Sequence, residues 1–343
     1  LTLAGPAGWT GESPPTSCSG CGVRSVLPGQ SFGLDGSLCM HQHVLDQSVE
    51  ASFYSPNGNQ CAAKIYYPNV ETAQKHPVIL MVHGWGGTQD LLTLPFVQAF
   101  MQIGYAVMTF DYSTWGKSEG MPRNQISPWL RVREAEQAIQ YLQNLEKIDE
   151  DKIVVWGTSF GGGHAIDLAA KYPHLLGAIA HVPMLDGVQA VLANPVKDML
   201  KIGLKVVQDY LPSQSRTYIP VIAPEHQFAT MNRDQAYDFF MKNYQESGKS
   251  IDDYDNRVTA RSVLTIGMYR PIRHLKTIKI PTLLIGATRD SVAPFDPEKI
   301  KKINNPHIEY QLLDANHFEP YFEPIFQQNI QYQLEFLKKL ICC

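Results

Sequence analysis

Read as a series of apolar and polar positions, the chain changes period repeatedly, and the changes outline its elements. Residues 49–55 and 61–67 read as two strands joined at Asn57-Gly58, a dipeptide that tolerates the positive φ of a tight hairpin turn. Pro77-Val-Ile-Leu-Met-Val82 is an uncharged apolar run, short enough for a strand buried on both faces. Residues 94–103 then read as a helix and 105–110 as a strand. Ser127-Pro128 pairs an N-cap with proline at the first helical position, and Ala135, Ala138, Ile139, Leu142 and Leu145 fall on one face of the helix that follows. A strand over 152–156, a helix over 161–172 and a strand over 176–182 continue the alternation.

The alternation stops near Pro183 and resumes near Ile280, with strands predicted at 281–286 and 308–313 and an amphipathic helix over 325–340. Three helical patterns and no strands occupy the gap. Val196, Met199, Leu200 and Val207 mark the first, Ala236, Phe239, Phe240 and Tyr244 the second, and Val258, Val263, Leu264 and Tyr269 the third. Alternating strands and helices imply a mostly parallel sheet covered on both faces. An insertion that leaves from a strand end is expected to cap the carboxyl edge, where such sheets bind ligands. The expected organisation is an irregular segment at 1–40, an α/β core from 41–184 and 280–343, and a helical cap over 185–279. Residues 1–40 stand apart because they are rich in Gly, Ser, Pro and Cys and hold no sustained period.

Composition narrows the function classes. The 343 residues are 44% hydrophobic and 18% charged, with a formal net charge of -4, so nothing supplies the basic stripe of a nucleic-acid-binding surface. No apolar run reaches the roughly 18 residues of a membrane span. Cysteines stand at 18, 21, 39, 61, 342 and 343. Cys18-Ser-Gly-Cys21 has no second pair at zinc-ligand spacing, so free thiols in a reduced compartment and no metal are expected. No basic stretch followed by an apolar one opens the chain, which predicts a cytoplasmic location. A homo-oligomer is left open.

The chemistry lies in Val154-Val-Trp-Gly157-Thr158-Ser159-Phe160-Gly161, a Gly-x-Ser-x-Gly set between an apolar strand and a helix. That setting forms a nucleophile elbow, which lifts the hydroxyl above the sheet. The pattern occurs twice more, around Ser31 and Ser118, and neither copy is followed by a helix. A serine hydroxyl needs a base, and chain order in this architecture runs Ser, then Asp or Glu, then His. His317 follows the last predicted strand, whereas His226 and His274 fall in the insertion and His307 precedes that strand. Asp290 follows the strand before and is placed to orient His317, with Asp314 and Asp186 as competitors. The oxyanion donors are assigned to the main-chain N–H of Phe160 and of Trp85, the latter within His83-Gly84-Trp85-Gly86-Gly87.

The residues His83-Gly-Trp-Gly-Gly87, Gly157-Thr-Ser-Phe-Gly-Gly-Gly-His164, Ala287-Thr-Arg-Asp290-Ser-Val-Ala-Pro294 and Asn316-His-Phe318 resemble the α/β-hydrolase superfamily. They are similar to its dienelactone-hydrolase-like and X-prolyl-peptidase-like branch, which includes fungal polyketide-pathway hydrolases and acyltransferases. The resemblance implies an α/β fold with a mostly parallel eight-stranded sheet, a helical cap, a Ser–His–Asp mechanism and no cofactor. Dienelactone hydrolases use a cysteine where this chain has Ser159, so that activity does not carry over. X-prolyl peptidases are larger, with domains that capture a peptide N-terminus. The reading is a serine hydrolase that cleaves a small-molecule carboxylic ester of low polarity through an acyl-enzyme. The alternatives are an acyltransferase with the same triad, a peptidase and a non-catalytic binding protein.

Overall fold

The structure, a computed structural model, describes residues 48–68, 74–89, 91, 94–212, 215–246 and 250–342. The segment 1–40, the Ser31 motif and the Cys18/Cys21 pair lie outside them. Strands β1 (Ser48–Tyr54) and β2 (Gln60–Tyr66) form the expected antiparallel hairpin, with Gly58 at φ 81 in its turn. β2 pairs antiparallel with β4 (Ala106–Phe110). From there the sheet is parallel, through β3 (His76–Val82), β5 (Ile148–Thr158), β6 (Gly177–His181), β9 (Thr282–Ala287) and β10 (Ile308–Leu313). The order β1-β2-β4-β3-β5-β6-β9-β10 gives eight strands, and with its flanking helices it is the α/β-hydrolase architecture.

Each central strand feeds two apolar layers, because successive side chains point to opposite faces. Val154, Trp156, Leu283 and Ile285 enter one cluster, while Ile153, Val155 and Leu284 enter the other. The first is covered by α1 (Leu94–Gln102) and α9 (Ile325–Cys342), the second by α2 (Pro128–Gln143), α3 (Phe160–Lys171) and α8 (Pro297–Ile303). α2 starts as its sequence dictates. The Ser127 hydroxyl accepts from Leu130 N at 3.4 Å, Pro128 opens the first turn, and Ala135, Ala138, Ile139 and Leu142 are buried.

Between β6 and β9 the chain forms α4 (Gly187–Leu192), α5 (Val196–Tyr210), α6 (Ala236–Glu246) and α7 (Ala260–Met268). It also forms a ribbon of β7 (Tyr218–Ile219) with β8 (Val258–Thr259). The sequence predicts three helices and no strands here. α4 has six residues and each ribbon strand two, too short to leave a periodic signal. Asp209 ties α5 to α7, since its carboxylate accepts from Thr217 N, Arg261 N and Arg261 Nε at 2.8–3.0 Å.

A directional polar network runs under the end of β5. The Trp156 indole can only donate, and it bonds Gln333 Oε1 at 2.7 Å. Gln333 Nε2 therefore donates to Asn329 Oδ1, and Asn329 Nδ2 donates to His181 Nε2 at 2.9 Å. His181 is left with its proton on Nδ1, 3.0 Å from Thr158 Oγ1, which also bonds the Tyr321 hydroxyl. Burial, then the His317 charge, pushes His181 down to about 3. Burial, then the Arg131 charge, holds His83 and His164 well below 6.5.

These three histidines are neutral in the fold at pH values where an unfolded chain protonates them. Their contribution is present above pH 6.5 and is lost as the pH falls below it, at up to about 1.4 kcal/mol per pH unit each. Glu134 acts oppositely. Burial pushes it up to about 7 from 4.5, so the folded state binds the extra proton between those values. The three outweigh the one, and the free energy of urea unfolding should fall by about 2 kcal/mol from pH 6.5 to 5.5. Stability that stays flat or rises over that interval would contradict the neutral assignment.

Candidate active site

Ser159 sits between β5 and α3 with φ 54 and ψ -120, a backbone region that non-glycine residues rarely occupy. Its main chain is held on both sides. Ser159 N donates to His181 O, and Ser159 O accepts from Gly162 N and Met184 N, all at 2.9 Å. The turn closes only because no side chain intervenes. A Cβ on Gly157 would stand 2.1 Å from Gly161 O, and one on Gly161 would stand 2.3 Å from Val82 O. The Ser118 copy does different work, its Oγ donating to Asp111 O at 2.6 Å and accepting from Ala62 N at 2.8 Å.

The structure brings Ser159, His317 and Asp290 into one hydrogen-bonded line. His317 Nε2 is 2.9 Å from Ser159 Oγ and its Nδ1 is 2.6 Å from Asp290 Oδ2. The His317 and Asp290 side chains are each only 1% exposed. Asp290 Oδ1 accepts from Val292 N at 2.9 Å and Ala293 N at 2.6 Å, which fixes the carboxylate as an acceptor. His317 Nδ1 therefore carries the proton, and Nε2 faces the serine as an acceptor. The competitors are engaged elsewhere. Asp314 is 87% exposed on Arg289, and Asp186 pairs with Arg270 while capping α4. His274 pairs with Asp167 at 2.6 Å, and His226 and His307 are exposed.

The loop after β3 packs on the elbow, and a Cβ on Gly84 would lie 3.0 Å from Ser159 Cβ. Trp85 and Phe160 meet edge to face at 5.4 Å. The inserted segment clamps this loop. Thr230 Oγ1 accepts from Trp85 Nε1 at 3.0 Å, and the Tyr254 hydroxyl donates to Gly86 O at 2.8 Å.

Two contributors were missed in the sequence. Arg131 on α2 is 2% exposed, its guanidinium 4.5 Å from the Tyr112 ring centre, and its Nη1 donates to Gly84 O at 3.0 Å. Burial lowers it to about 10, so it stays charged at neutral pH. Asp234, from the inserted segment, accepts from Ser291 N at 3.0 Å, from Ser291 Oγ and from His317 N. Neither belongs to a local motif, and both act across more than 40 residues of sequence.

Ser159 opens into a cavity of about 300 Å³, walled by Met199, Ile202 and Val206 of α5 and Val263 of α7, with Asn194, Thr230 and Arg233 as polar points. Among the described residues no His, Cys, Asp and Glu cluster could hold a metal ion, and no helix is long and apolar enough to cross a membrane. Cys61 is a buried free thiol, pushed up to about 12 by burial.

A family model described as serine aminopeptidase, S33, matches residues 73–315. The quorum-quenching protein AidA of Acinetobacter baumannii is 34% identical over 292 residues, covering 84% of this chain and 94% of that protein. The polyketide transferase af380 of Aspergillus fumigatus is 23% identical over 272 residues, covering 77% and 89%. The crystal structure of the α/β hydrolase GrgF from Penicillium sp. sh18 superposes with a TM-score of 0.69 at 18% identity, covering 86% of this chain and 99% of that one.

The elbow geometry makes a paired prediction. Gly161→Ala should destabilise the protein by about 2 kcal/mol or more and lower its hydrolytic rate, because its methyl group meets main-chain oxygen. Gly203→Ala on α5, where nothing lies within 4 Å of the added Cβ, should leave stability unchanged or raise it by up to about 1 kcal/mol. Thermal unfolding of both variants is the check, and equal effects would contradict the close-approach argument.

Proposed function

Since the chain belongs to the serine aminopeptidase S33 family and has the α/β-hydrolase fold, we propose that it is a carboxylic-ester hydrolase acting through an acyl-enzyme on Ser159. The observation that carries this reading is the line Ser159–His317–Asp290, with both outer bonds under 3 Å. Ser159 Oγ attacks the ester carbonyl as its proton passes to His317 Nε2. Asp290 holds the ring and stabilises the imidazolium without taking the proton. His317 then protonates the departing alcohol. A water molecule, deprotonated by the same nitrogen, attacks the acyl-enzyme and releases the acid.

The oxyanion forms beside the N–H groups of Trp85 and Phe160. Phe160 is the first residue of α3, so its N–H has no acceptor within the helix. Gly84 C=O and Trp85 N–H share one peptide unit, so Arg131 on that oxygen orients and polarises the donor. The inserted segment acts as a cap, since its helices wall the cavity and its Thr230 and Tyr254 hold the loop. An apolar wall with few polar points favours a substrate of low polarity.

The polyketide transferase relative favours a second reading, in which an alcohol, amine or thiol replaces water in the second step. Product analysis with a competing nucleophile separates the two. Free acid as the main product supports hydrolysis, and transfer that outpaces it at millimolar acceptor supports the transferase.

Two variant series follow. Ser159→Ala and His317→Ala should each lower kcat on p-nitrophenyl butyrate by about 10⁴-fold or more, and retained activity in either would refute the mechanism. Arg131→Met should lower kcat by about 10–100-fold with little change in KM, as expected when one oxyanion donor is disturbed and not removed. A KM effect alone would assign Arg131 to binding.

A further inference from the structure

α5 carries its apolar stripe on the outside. Val196, Leu200, Leu204 and Val207 recur at the helical period, and with Leu211 just past the helix end each is 59–68% exposed, while Asp198 and Asp209 are buried. Neighbouring helices extend the patch, through Leu192 at the end of α4 (69% exposed) and Leu264 and Met268 one turn apart on α7 (50% and 67%). Scattered exposed leucines are ordinary, but a contiguous patch of this kind marks a contact surface. The patch borders the cavity mouth, since Met199 and Gly203 of α5 and Leu264 and Gly267 of α7 line the space above Ser159.

The charges around the stripe indicate what meets it. Lys197, Lys201 and Lys205 form a row one position beyond the apolar residues, two of them exposed and the third half-buried. Between residues 187 and 212 the acidic side chains are Asp198 and Asp209, both buried, and Asp209 is neutralised by Arg261. This face is therefore apolar and basic on a chain whose formal net charge is -4. A second copy of the chain makes a poor partner, because a two-fold contact offers the lysine rows no exposed carboxylate on the patch. A bilayer with anionic headgroups meets both features, as the apolar side chains enter the acyl boundary and the lysines reach the phosphates.

We propose that α5, with the ends of α4 and α7, docks on an anionic lipid surface and turns the pocket mouth toward it. An apolar ester then passes from the bilayer to Ser159 without crossing water; this last clause rests on the hydrolase reading, whereas the docking does not.

Co-sedimentation of the full chain with vesicles tests the proposal. The protein should partition at least tenfold more onto phosphatidylcholine vesicles containing phosphatidylglycerol than onto pure phosphatidylcholine. Leu200→Asp with Leu204→Asp, or Lys197→Glu with Lys201→Glu, should abolish that preference while leaving p-nitrophenyl butyrate hydrolysis unchanged, which shows that the variants fold. Ser159→Ala should bind vesicles like the parent, so loss of chemistry and loss of docking are read separately. Equal partition onto both vesicle types, no partition onto either, or a dimer in light scattering that the leucine substitutions dissolve would each overturn the proposal.

Discussion

The site depends on one steric constraint. The end of β5, the start of α3 and the loop after β3 converge so closely that Gly157, Gly161 and Gly84 leave no room for a methyl group without displacing backbone or Ser159 itself. That convergence holds Ser159 at its unfavourable φ and sets its hydroxyl in reach of His317. It also stacks the Trp85 loop against the first turn of α3. The strain is local, whereas the hydrogen bonds that hold it tie Ser159 N to His181 O at the end of β6, and Ser159 O to Gly162 N in α3 and Met184 N beyond β6.

Around this point the protein keeps its polar groups directional. The Trp156 indole orients Gln333, Asn329 and His181 in turn, so the histidine beneath the elbow is neutral and points one way. Asp290 is fixed as an acceptor by two main-chain donors, which leaves His317 a single tautomer to offer the serine. Such networks act as a unit when every member is satisfied. Arg131 adds a buried positive charge behind the Gly84 carbonyl, on the far side of the same peptide from Trp85 N–H. The electrostatics of the pocket therefore come from behind the loop as well as from the groups that face the cavity.

The sheet and the groups in line at Ser159 were legible in the sequence for physical reasons. Buried parallel strands read as short uncharged runs, as Pro77 to Val82 does, and a strained serine turn requires small residues at fixed spacing. Chain order then left one histidine, His317, after the last strand, and pointed to Asp290 after the strand before it, with Asp314 and Asp186 as competitors. What was not legible acts over distance. Arg131 looks like any helix arginine until the fold sets it under Gly84, and Asp234 lies in a segment without periodicity. The ribbon β7–β8 is too short to alternate. The apolar period of α5 is plain in the sequence, but period alone does not tell which side of the helix faces water, and Val196, Leu200 and Val207 face outward.

The cavity, the inserted helices that wall it and the buried Ser159–His317–Asp290 line make one central claim, that Ser159 is an activated nucleophile. Treating the protein with a fluorophosphonate and mapping the modified residue by mass spectrometry measures this most directly. The account predicts stoichiometric modification at Ser159, slowed at least a hundredfold in His317→Ala. Modification at Ser118, or none at all, would contradict it.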